Sequence, residues 1–468
     1  MQPVAHRIMW PSNNCDRARQ NKVMLTHHDK KTTTGTGSLQ NSDKPPDIDD
    51  KSMRRKRAAA SLSAAGSSPE ASAMRRLRLP FLLLLPMTVA ILILLSRRVS
   101  PPQPLPCGAA PSDATAGRWV PTPRPAPPPL YAASCPFHRN SYNCLRNGRP
   151  PLAALSWAPA RCGGAVVPRI DAAGFLAAAR GRRVGLVGDS LSENLAVALL
   201  CALRSADPGA RKWKRRGAWR GGYFPRDDVT VAFHRAVLLA KYTWQPVENP
   251  EEVQKDGVKG IYRVDVDIPA DEWINVTKFY DVLIVNTGHW WGTYKFPKET
   301  PLVFYRGGEP IEPPLSIPDG MKVVIKSMAS YIDREMPSKT LKLWRTQSPR
   351  HFYGGEWDRN GSCVADRLLE EDELESWFDP RFGGVNKDAR TVNLAIQEAL
   401  AGSEFRLVNL TYMSEFRADA HPATWLGKKD AVAVYGQDCM HWCVPGVPDT
   451  WVDILSAQIL HYFKQGKG

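Results

Sequence analysis

The chain has 468 residues, enough for one large domain with appended segments, because single hydrophobic cores stop growing near ~250 to 300 residues. A hydrophobic content of 43% excludes a wholly disordered chain, while 40 Pro and 34 Gly predict that some segments form no packed core. The formal net charge of +15 is compatible with nucleic acid, an anionic membrane or an acidic polymer as partner, and composition alone does not choose among them.

Residues 1–78 are polar and lack helical or strand periodicity, so we expect a disordered cytosolic tail. The basic run KSMRRKR at 51–57 resembles a nuclear-targeting patch. A basic flank close to a membrane span more often contacts anionic lipid, and this second interpretation is favoured.

Residues 79–96 are predicted to form a transmembrane signal-anchor. The stretch 79–95 holds 17 residues without a charge and reaches about 25 Å as a helix. A cleaved signal peptide is the alternative, but its apolar core is usually shorter and begins nearer the N-terminus. Because residues 1–78 carry 15 Lys and Arg against seven Asp and Glu, we expect the N-terminus in the cytosol and the rest in the lumen.

Residues 97–130 are predicted to be an extended, Pro-rich stem, since eleven of the 29 residues at 101–129 are Pro. We expect the folded part to begin near Leu130, with a small Cys-rich subdomain at 131–170. A larger domain at 171–468 follows.

The cysteines and glycosylation sequons agree with this topology, because eight of the nine cysteines follow the apolar stretch and an even number fits four disulfides. Zinc is the alternative for Cys439 and Cys443, but no second close pair has structural-zinc spacing, so no metal is expected. The eight cysteines are Cys107, Cys135, Cys144, Cys162, Cys201, Cys363, Cys439 and Cys443, and the candidate glycosylation sites are Asn275, Asn360 and Asn409.

Short β-branched runs alternate with helical patterns along the large domain, which predicts an α/β fold with a central parallel sheet flanked by helices. Strands are predicted at 183–188, 282–286 and 322–325. Helices are predicted at 191–203, 391–401 and 452–463.

Two elements predict acyl-transfer chemistry. The turn of Gly188, Asp189 and Ser190 connects a predicted strand to a predicted helix, where a serine hydroxyl is exposed beside helix N-terminal N–H groups. Such a turn alone is more often a helix cap. Near the C-terminus Asp438 precedes His441 by three residues, so the acid is placed to hydrogen-bond Nδ1 and leave Nε2 facing the serine.

Five segments then show that the sequence resembles the plant trichome birefringence-like family of polysaccharide O-acetyltransferases, whose fold is related to the SGNH (GDSL) hydrolases. They are CPFHRNSYNC at 135–144 with RNGRP at 146–150, VGDSLSEN at 187–194, NTGHWW at 286–291, LWRTQSPRHFYGGEWDRNGSC at 343–363 and DCMHWCVPGVPDTW at 438–451. The resemblance covers nearly all of the part after the stem.

This resemblance implies a Golgi enzyme with a type II anchor and four lumenal disulfides. Ser190 would be the nucleophile, His441 the general base and Asp438 the residue that orients it. The implied cycle passes an acetyl group from a donor, acetyl-CoA or a relayed acetyl carrier, through Ser190 to a sugar hydroxyl of xylan, mannan or pectin. No tightly bound cofactor is expected, and an acetyl-donor transporter is a possible partner. Two positions depart from the family pattern, since many members carry Arg where this chain has Glu193 and Asn where it has Val452.

Other residues are candidates for oxyanion or substrate contacts. The aromatic residues Trp290, Trp291 and His289 are suited to stacking on sugar rings, with a place in the core as the alternative. Arg345 is a candidate for acceptor or donor binding, or else part of a structural ion pair. The full set of candidates is Gly188, Asp189, Asn194, Asn286, Gly288, His289, Trp290 and Arg345.

A basic run at 211–220 contains six Lys and Arg with Trp213 and Trp219. In the cytosol this pattern would suggest nucleic acid, whereas in the lumen the polyanion would be pectin, so no nucleic-acid partner is expected. A solvated basic surface is the simpler interpretation.

Two other functions stay open. A polysaccharide acetylesterase of the same fold would use the same residues with water as acceptor, and a non-catalytic protein would bridge wall polysaccharides with its tryptophans and basic surface.

Overall fold

The computed structural model describes residues 104–123, 128–248, 257–355, 361–363, 367–378, 388–428 and 431–466. The predicted tail at 1–78 and the predicted span at 79–96 lie outside these residues. Within the described ranges, no helix combines the length and apolar character that crossing a membrane requires.

The strands are β1 Gly117–Pro121, β2 Leu155–Pro159, β3 Arg183–Gly188, β4 Arg211–Lys212, β5 Arg220–Phe224, β6 Val229–Arg235, β7 Ala240–Pro246, β8 Gly260–Pro269, β9 Val282–Val285, β10 Leu302–Arg306, β11 Glu309–Pro310, β12 Leu341–Arg345 and β13 Arg406–Val408. The α-helices are α1 Ala172–Ala178, α2 Ser190–Ala206, α3 Ile317–Glu335, α4 Leu374–Phe378, α5 Asp388–Ala399, α6 Thr411–Glu415, α7 Ala431–Tyr435 and α8 Val447–Lys464. Short 3-10 helices cover Pro111–Ala114, Asn140–Tyr142, Ala160–Cys162, Ile274–Val276, Glu371–Glu373 and Ala418–Ala420.

A seven-stranded sheet lies at the centre, in the order β13-β12-β9-β3-β6-β5-β4. The five strands from β13 to β6 are parallel, which confirms the predicted central parallel sheet. At the other edge β5 and β4 run antiparallel, which the sequence did not predict. Because β3 is buried on both faces between β9 and β6, the turn that follows it emerges near the middle of the sheet edge.

Helices cover both faces of this sheet, and successive residues of each strand alternate between two cores. Leu186 of β3 joins the core beneath α1, α2 and α8, whereas its neighbour Val187 joins the core beneath α3 and α5. The predicted helices at 191–203, 391–401 and 452–463 are confirmed as α2, α5 and α8. The expected α/β architecture with flanking helices is therefore confirmed.

The predicted strand at 322–325 is wrong, because these residues lie inside α3. The helix begins after Ser316, whose hydroxyl accepts from the Asp319 N–H, and its buried side chains recur at helical spacing along one face. The short apolar run at 323–325 belongs to that stripe, which continues through Met328 and Ile332. The next strand along the chain is β12, which begins at Leu341, 16 residues after residue 325.

A second, four-stranded sheet has the order β11-β10-β8-β7, with β10 and β8 parallel and the outer pairs antiparallel. None of its strands was predicted from the sequence. Its inward residues Val264, Val266 and Phe304 pack into the same core as α3.

The predicted stem at 97–130 is wrong for residues 105–121, which are folded. Strand β1 pairs antiparallel with β2 of the Cys-rich subdomain, and Cys107 forms a disulfide with Cys162. The carboxylate of Asp113 is buried, where it accepts from the N–H groups of Gly108 and Ala110 and pairs with Arg161. High Pro content thus indicated an irregular backbone, but not one extended into solvent. The subdomain begins well before the predicted boundary at residue 131.

The eight predicted cysteines form four disulfides, as expected. Cys135 is joined to Cys201 of α2, while Cys144 and Cys443 are joined across 299 residues. Cys363 is bonded to Cys439. Cys439 and Cys443, the alternative zinc ligands, are therefore both in disulfides, and neither is a thiolate. No group of three or more His, Cys, Asp or Glu with metal-binding geometry occurs among the described residues.

The candidate glycosylation sites differ in exposure. Asn275 is exposed in the short helix Ile274–Val276, whereas Asn409 is half-buried and its Oδ1 accepts from the Thr411 N–H at 3.1 Å. Asn360 lies outside the described residues.

Candidate active site

The serine turn joins β3 to α2. Ser190 is the first residue of the helix, and Asp189 is its N-cap, with Oδ1 accepting from the Leu191 N–H at 3.0 Å. Gly188 packs so tightly against the next strand that a Cβ there would collide with the Asn286 carbonyl oxygen. The hydroxyl of Ser190 is consequently held at the positive N-terminal end of a 17-residue helix.

His441 faces this serine. Its Nε2 lies 2.8 Å from Ser190 Oγ, and its Nδ1 lies 2.9 Å from Asp438 Oδ2. Because a carboxylate accepts hydrogen bonds, Nδ1 carries the proton and Nε2 is left to accept from the serine hydroxyl. The structure therefore brings Ser190, His441 and Asp438 together, although 251 residues of chain separate the serine from the histidine.

The carboxylate of Asp438 is buried, and burial alone would raise its pKa. The neighbouring His441 imidazole, its hydrogen bond and the N–H groups of His441 and Met440 outweigh burial and lower the pKa of Asp438 to about 2. The acid is therefore ionised at any physiological pH, as a residue that orients and stabilises an imidazolium must be.

The segment 438–443, called here the histidine loop, is anchored on several sides. Disulfides fix both of its cysteines, Cys439 to Cys363 and Cys443 to Cys144. The side-chain amide of Asn194 pairs with the Trp442 backbone, donating to its carbonyl at 3.0 Å and accepting from its N–H at 2.8 Å. Asn194 thus holds the histidine loop against the serine helix. The Oδ1 acceptor and one N–H donor of its amide are engaged there, and a contact of Asn194 with an oxyanion stays a prediction.

A buried histidine that the sequence analysis did not single out also supports this loop. His421 Nδ1 donates to the His441 carbonyl oxygen at 2.7 Å, and the His421 ring packs on Trp442 with centroids 4.2 Å apart. Burial, together with the charge of a neighbouring histidine, lowers the pKa of His421 well below its ordinary value. No motif of catalytic spacing marks His421, so only the folded structure reveals this contact.

Tyr142 of the Cys-rich subdomain forms one wall of the site. Its ring stacks on the His441 imidazole, with centroids 4.9 Å apart and planes inclined by 28°. The Tyr142 carbonyl accepts from the Val444 N–H at 2.9 Å, just beyond the histidine loop. The subdomain therefore contributes directly to the geometry of the histidine, which the sequence analysis did not predict.

Glu193, one turn after Ser190, is buried between two arginines. It pairs with Arg139 of the subdomain at 2.5 Å and with Arg220 of β5 at 2.9 Å. Its charge is consequently neutralised within the protein, and it joins the serine helix to the subdomain. Val452, the other departure from the family pattern, is buried in the core on α8.

Beneath the serine turn, Asn286 lies between Asp189 and Arg345. The orientation that satisfies both neighbours has its amide nitrogen donating to Asp189 Oδ1 at 2.7 Å and its oxygen accepting from Arg345 at 3.1 Å. Burial raises the pKa of Asp189, against the opposing charge of Arg345, and burial lowers the pKa of Arg345 to about 10. Arg345 is fully buried against Trp451, and its contact with acceptor or donor stays a prediction. The Asn286 amide nitrogen also lies 3.3 Å from Ser192 Oγ, and its donation to an oxyanion stays a prediction.

The NTGHWW segment divides between core and site. Trp291 is core, donating to Thr287 Oγ1 at 2.8 Å and stacking on Phe304. A side chain at Gly288 would collide with Gln347, and His289 is buried against the same glutamine. Burial lowers the pKa of His289 well below its ordinary value, so its imidazole is neutral. Trp290 is only half-buried, between Arg235 and Lys295.

The basic run at 211–220 is largely exposed, as the simpler interpretation required. Its two tryptophans differ: Trp213 stacks on Phe279, whereas Trp219 is 37% exposed. Arg220 is engaged by Glu193, Arg216 lies over the Phe279 ring, and the remaining cations of the run are exposed.

Comparison with known proteins identifies the domains that carry this site. Residues 167–458 match PC-Esterase, the GDSL/SGNH-like acyl-esterase family found in Pmr5 and Cas1p, and residues 111–163 match the PMR5 N-terminal domain. The chain is 61% identical to protein trichome birefringence-like 12 of Arabidopsis thaliana, over 76% of its own length and 86% of that relative. Identity to trichome birefringence-like 13 of the same plant is 38%, over 79% and 89% of the two chains.

Proposed function

The chain belongs to the trichome birefringence-like family and carries its acyl-esterase-type domain, and on this premise we propose that it transfers acetyl groups to hydroxyls of a plant cell-wall polysaccharide through Ser190. The observation that carries the proposal is the 2.8 Å contact between Ser190 Oγ and His441 Nε2, with the Asp438 carboxylate behind the imidazole. This arrangement supplies a nucleophile, a general base and an orienting acid.

In the first half of the cycle, Ser190 Oγ attacks the carbonyl carbon of the acetyl donor and its proton passes to His441 Nε2. Collapse of the tetrahedral intermediate breaks the bond to the donor's leaving group, which takes that proton and departs. The developing oxyanion forms at the N-terminus of α2, where the helix dipole is positive and the Ser190 N–H is the proposed donor, since the next N–H groups donate to Asp189. The product is an acetyl ester of Ser190.

In the second half, His441 takes the proton of a sugar hydroxyl, whose oxygen attacks the acetyl ester. The ester bond to the sugar forms, the bond to Ser190 Oγ breaks, and His441 returns the proton to the serine. Ionised Asp438 stabilises the imidazolium in both halves. The acetyl group comes from a co-substrate, acetyl-CoA or a relayed carrier, so a donor-supplying transporter is a partner compatible with this cycle.

We place the catalytic domain in the Golgi lumen, as a single-pass type II membrane protein. Four disulfides support this placement, because such crosslinks persist in oxidising compartments and are rare in the cytosol. The exposed sequon at Asn275 is also compatible with it. Enzymatic removal of N-glycans from the chain expressed in plant cells tests the topology. A shift in electrophoretic mobility is expected, and its absence would contradict the lumenal assignment.

The purified chain incubated with an acetyl donor and deacetylated oligosaccharides tests the activity. Acetylated oligosaccharide is the expected product, and Ser190→Ala should abolish it. Release of acetate with no acetylated sugar would identify an acetylesterase of the same fold instead. Polysaccharide binding that survives in Ser190→Ala, with neither product formed by the unaltered chain, would identify a non-catalytic wall-binding protein.

A further inference from the structure

Two aromatic rings near the serine turn, those of Trp290 and Tyr294, are in contact with a group of cationic side chains. The Trp290 ring lies between Arg235, 5.6 Å from its centroid, and the Lys295 ammonium, 4.9 Å from it. The Lys295 ammonium also lies 5.7 Å from the Tyr294 ring, whose other cationic neighbour is Arg350. Cation–π contacts of this kind fix the positions of otherwise flexible chains.

This group borders the site. Arg235 is the last residue of β6 and is the strand partner of Gly188, and the following N–H, of Ala236, donates to the Gly188 carbonyl at 2.9 Å. Trp290 comes directly after the buried His289 in the NTGHWW segment. The Tyr294 hydroxyl donates to the His289 carbonyl, which ties the second ring to the same segment.

Three cationic side chains lie at this place: Arg235, Lys295 and Arg350. Arg350 is offset by Asp388 at 2.5 Å, but Lys295 forms no ion pair with any residue of the described ranges. Burial, then the charges of Arg235 and Arg350, lower the pKa of Lys295 to about 8. A half-buried ammonium beside other cations raises the free energy of the unliganded protein, and an anion placed next to Lys295 lowers it.

The cations continue away from the serine. Arg235 also lies 6.0 Å from the ring of Trp219, the exposed tryptophan at the end of the basic run. Lys214, Arg215 and Arg216 of that run are exposed. Lys295, Trp290, Arg235 and Trp219 are thus linked by successive cation–π contacts, and the exposed cations 214–216 precede Trp219 in the chain; we call these residues together the cationic track.

Resting on the proposed function, we propose that the cationic track binds the acceptor, and that this acceptor is a polysaccharide carrying uronosyl carboxylates. A single phosphate or diphosphate group would occupy one end of the track and leave the rest unused. A polymer with a carboxylate on successive sugars presents negative charges at intervals along its length, as the track presents positive ones. Lys295 and Arg235 bind the carboxylates nearest the acetylated hydroxyl, and the exposed run binds those further along.

Binding measured without turnover tests this assignment separately from the acyl-transfer activity. The full chain carrying Ser190→Ala is titrated calorimetrically with oligogalacturonate and, in parallel, with a neutral xylo-oligosaccharide of equal length. We expect oligogalacturonate to bind at least about tenfold more tightly at low salt, and the difference to shrink as salt is added. Equal affinity for the two ligands would overturn the proposal even if acetyl transfer is established.

Single substitutions then locate the site. In the same background, Lys295→Met should raise the Kd of oligogalacturonate about tenfold, Lys295→Arg should restore most of the affinity, and Lys214→Met should have a smaller effect. Lys326→Met, at an exposed lysine of α3 outside the track, is the matched control and should have none. If Lys295→Met weakens binding of coenzyme A but not of oligogalacturonate, the anion belongs to the donor and the proposal is wrong. Thermal unfolding of each variant excludes misfolding as the cause.

Discussion

Asn194, on the helix that begins with Ser190, and Trp442, next to His441, exchange two hydrogen bonds across 248 residues of chain. The pair joins the element that carries the nucleophile to the loop that carries the base, without touching either reacting atom. The contact between Asn194 and Trp442 thus helps to set the position of the serine relative to the histidine, although neither of those two residues takes part in it.

Replacing Asn194 with Ala should lower kcat by about tenfold to a hundredfold, with little change in the KM for the acceptor. The substitution leaves the buried N–H and carbonyl of Trp442 without partners, so we also expect about 1 to 3 kcal/mol less stability. Steady-state kinetics and denaturant unfolding measure the two effects. An unchanged kcat in a folded variant would show that the histidine loop keeps its place without this contact.

The disulfide between Cys144 and Cys443 should matter for activity more than its stabilising effect alone implies. Removing it by the double change to Ser is expected to cost about 2 to 5 kcal/mol and to reduce kcat, because one end of the histidine loop is released. Removal of the bond between Cys107 and Cys162, neither of which belongs to the histidine loop or to α2, is the matched control. It should lower the melting temperature but leave kcat of the folded fraction nearly unchanged, and equal losses of kcat in both variants would contradict this role.

The ring of Tyr142 is expected to position the His441 imidazole by stacking. Tyr142→Phe retains an aromatic ring and should keep most of the activity, whereas Tyr142→Leu should reduce kcat by about tenfold or more. Measuring kcat for both variants, with circular dichroism as the folding control, distinguishes the ring from the hydroxyl. Equal losses in the two variants would assign the effect to the phenol and not to stacking.

Asp438→Asn should reduce kcat by about 10³- to 10⁴-fold, since a neutral amide no longer selects the productive tautomer of His441. The pKa of Asp438 is about 2 when folded and about 3.8 when unfolded, so its ionised form favours the folded state. This contribution, about 2 kcal/mol, is fully present above pH 3.8 and is lost as the pH falls through 2. Unfolding curves between pH 5 and pH 2 should therefore show a steeper loss of stability in the unaltered chain than in Asp438→Asn. Parallel curves would contradict the lowered pKa.

The sequence predicted the parts of the fold that local pattern specifies. Strand β3, the turn at Ser190 and helices α2 and α8 follow from a short β-branched run, a capping residue and apolar spacing, and all were predicted. The error at 322–325 has the same origin, because a run of three or four apolar residues is ambiguous between a strand and one face of a helix.

The supporting contacts of the site were not predictable in this way. Asn194 was expected near the oxyanion and Arg345 near a substrate, yet the first engages Trp442 and the second is buried against Trp451. Tyr142 and His421 belong to no motif with catalytic spacing. Their contacts with His441 connect residues far apart in the chain, by hundreds of residues for Tyr142 and by tens for His421. These contacts depend on tertiary packing, and that of Tyr142 on the packing of the subdomain onto the larger domain, which local sequence does not encode.

The most direct test of the mechanism is to look for the acetyl ester of Ser190. The purified chain is incubated with an acetyl donor in the absence of acceptor, quenched in acid and examined by intact-protein and peptide mass spectrometry. We predict a mass increase of one acetyl group that maps to Ser190, is absent from Ser190→Ala and disappears when acceptor is added. Continued acetylation of the acceptor by Ser190→Ala, or full turnover with acetyl found only on another residue, would contradict it.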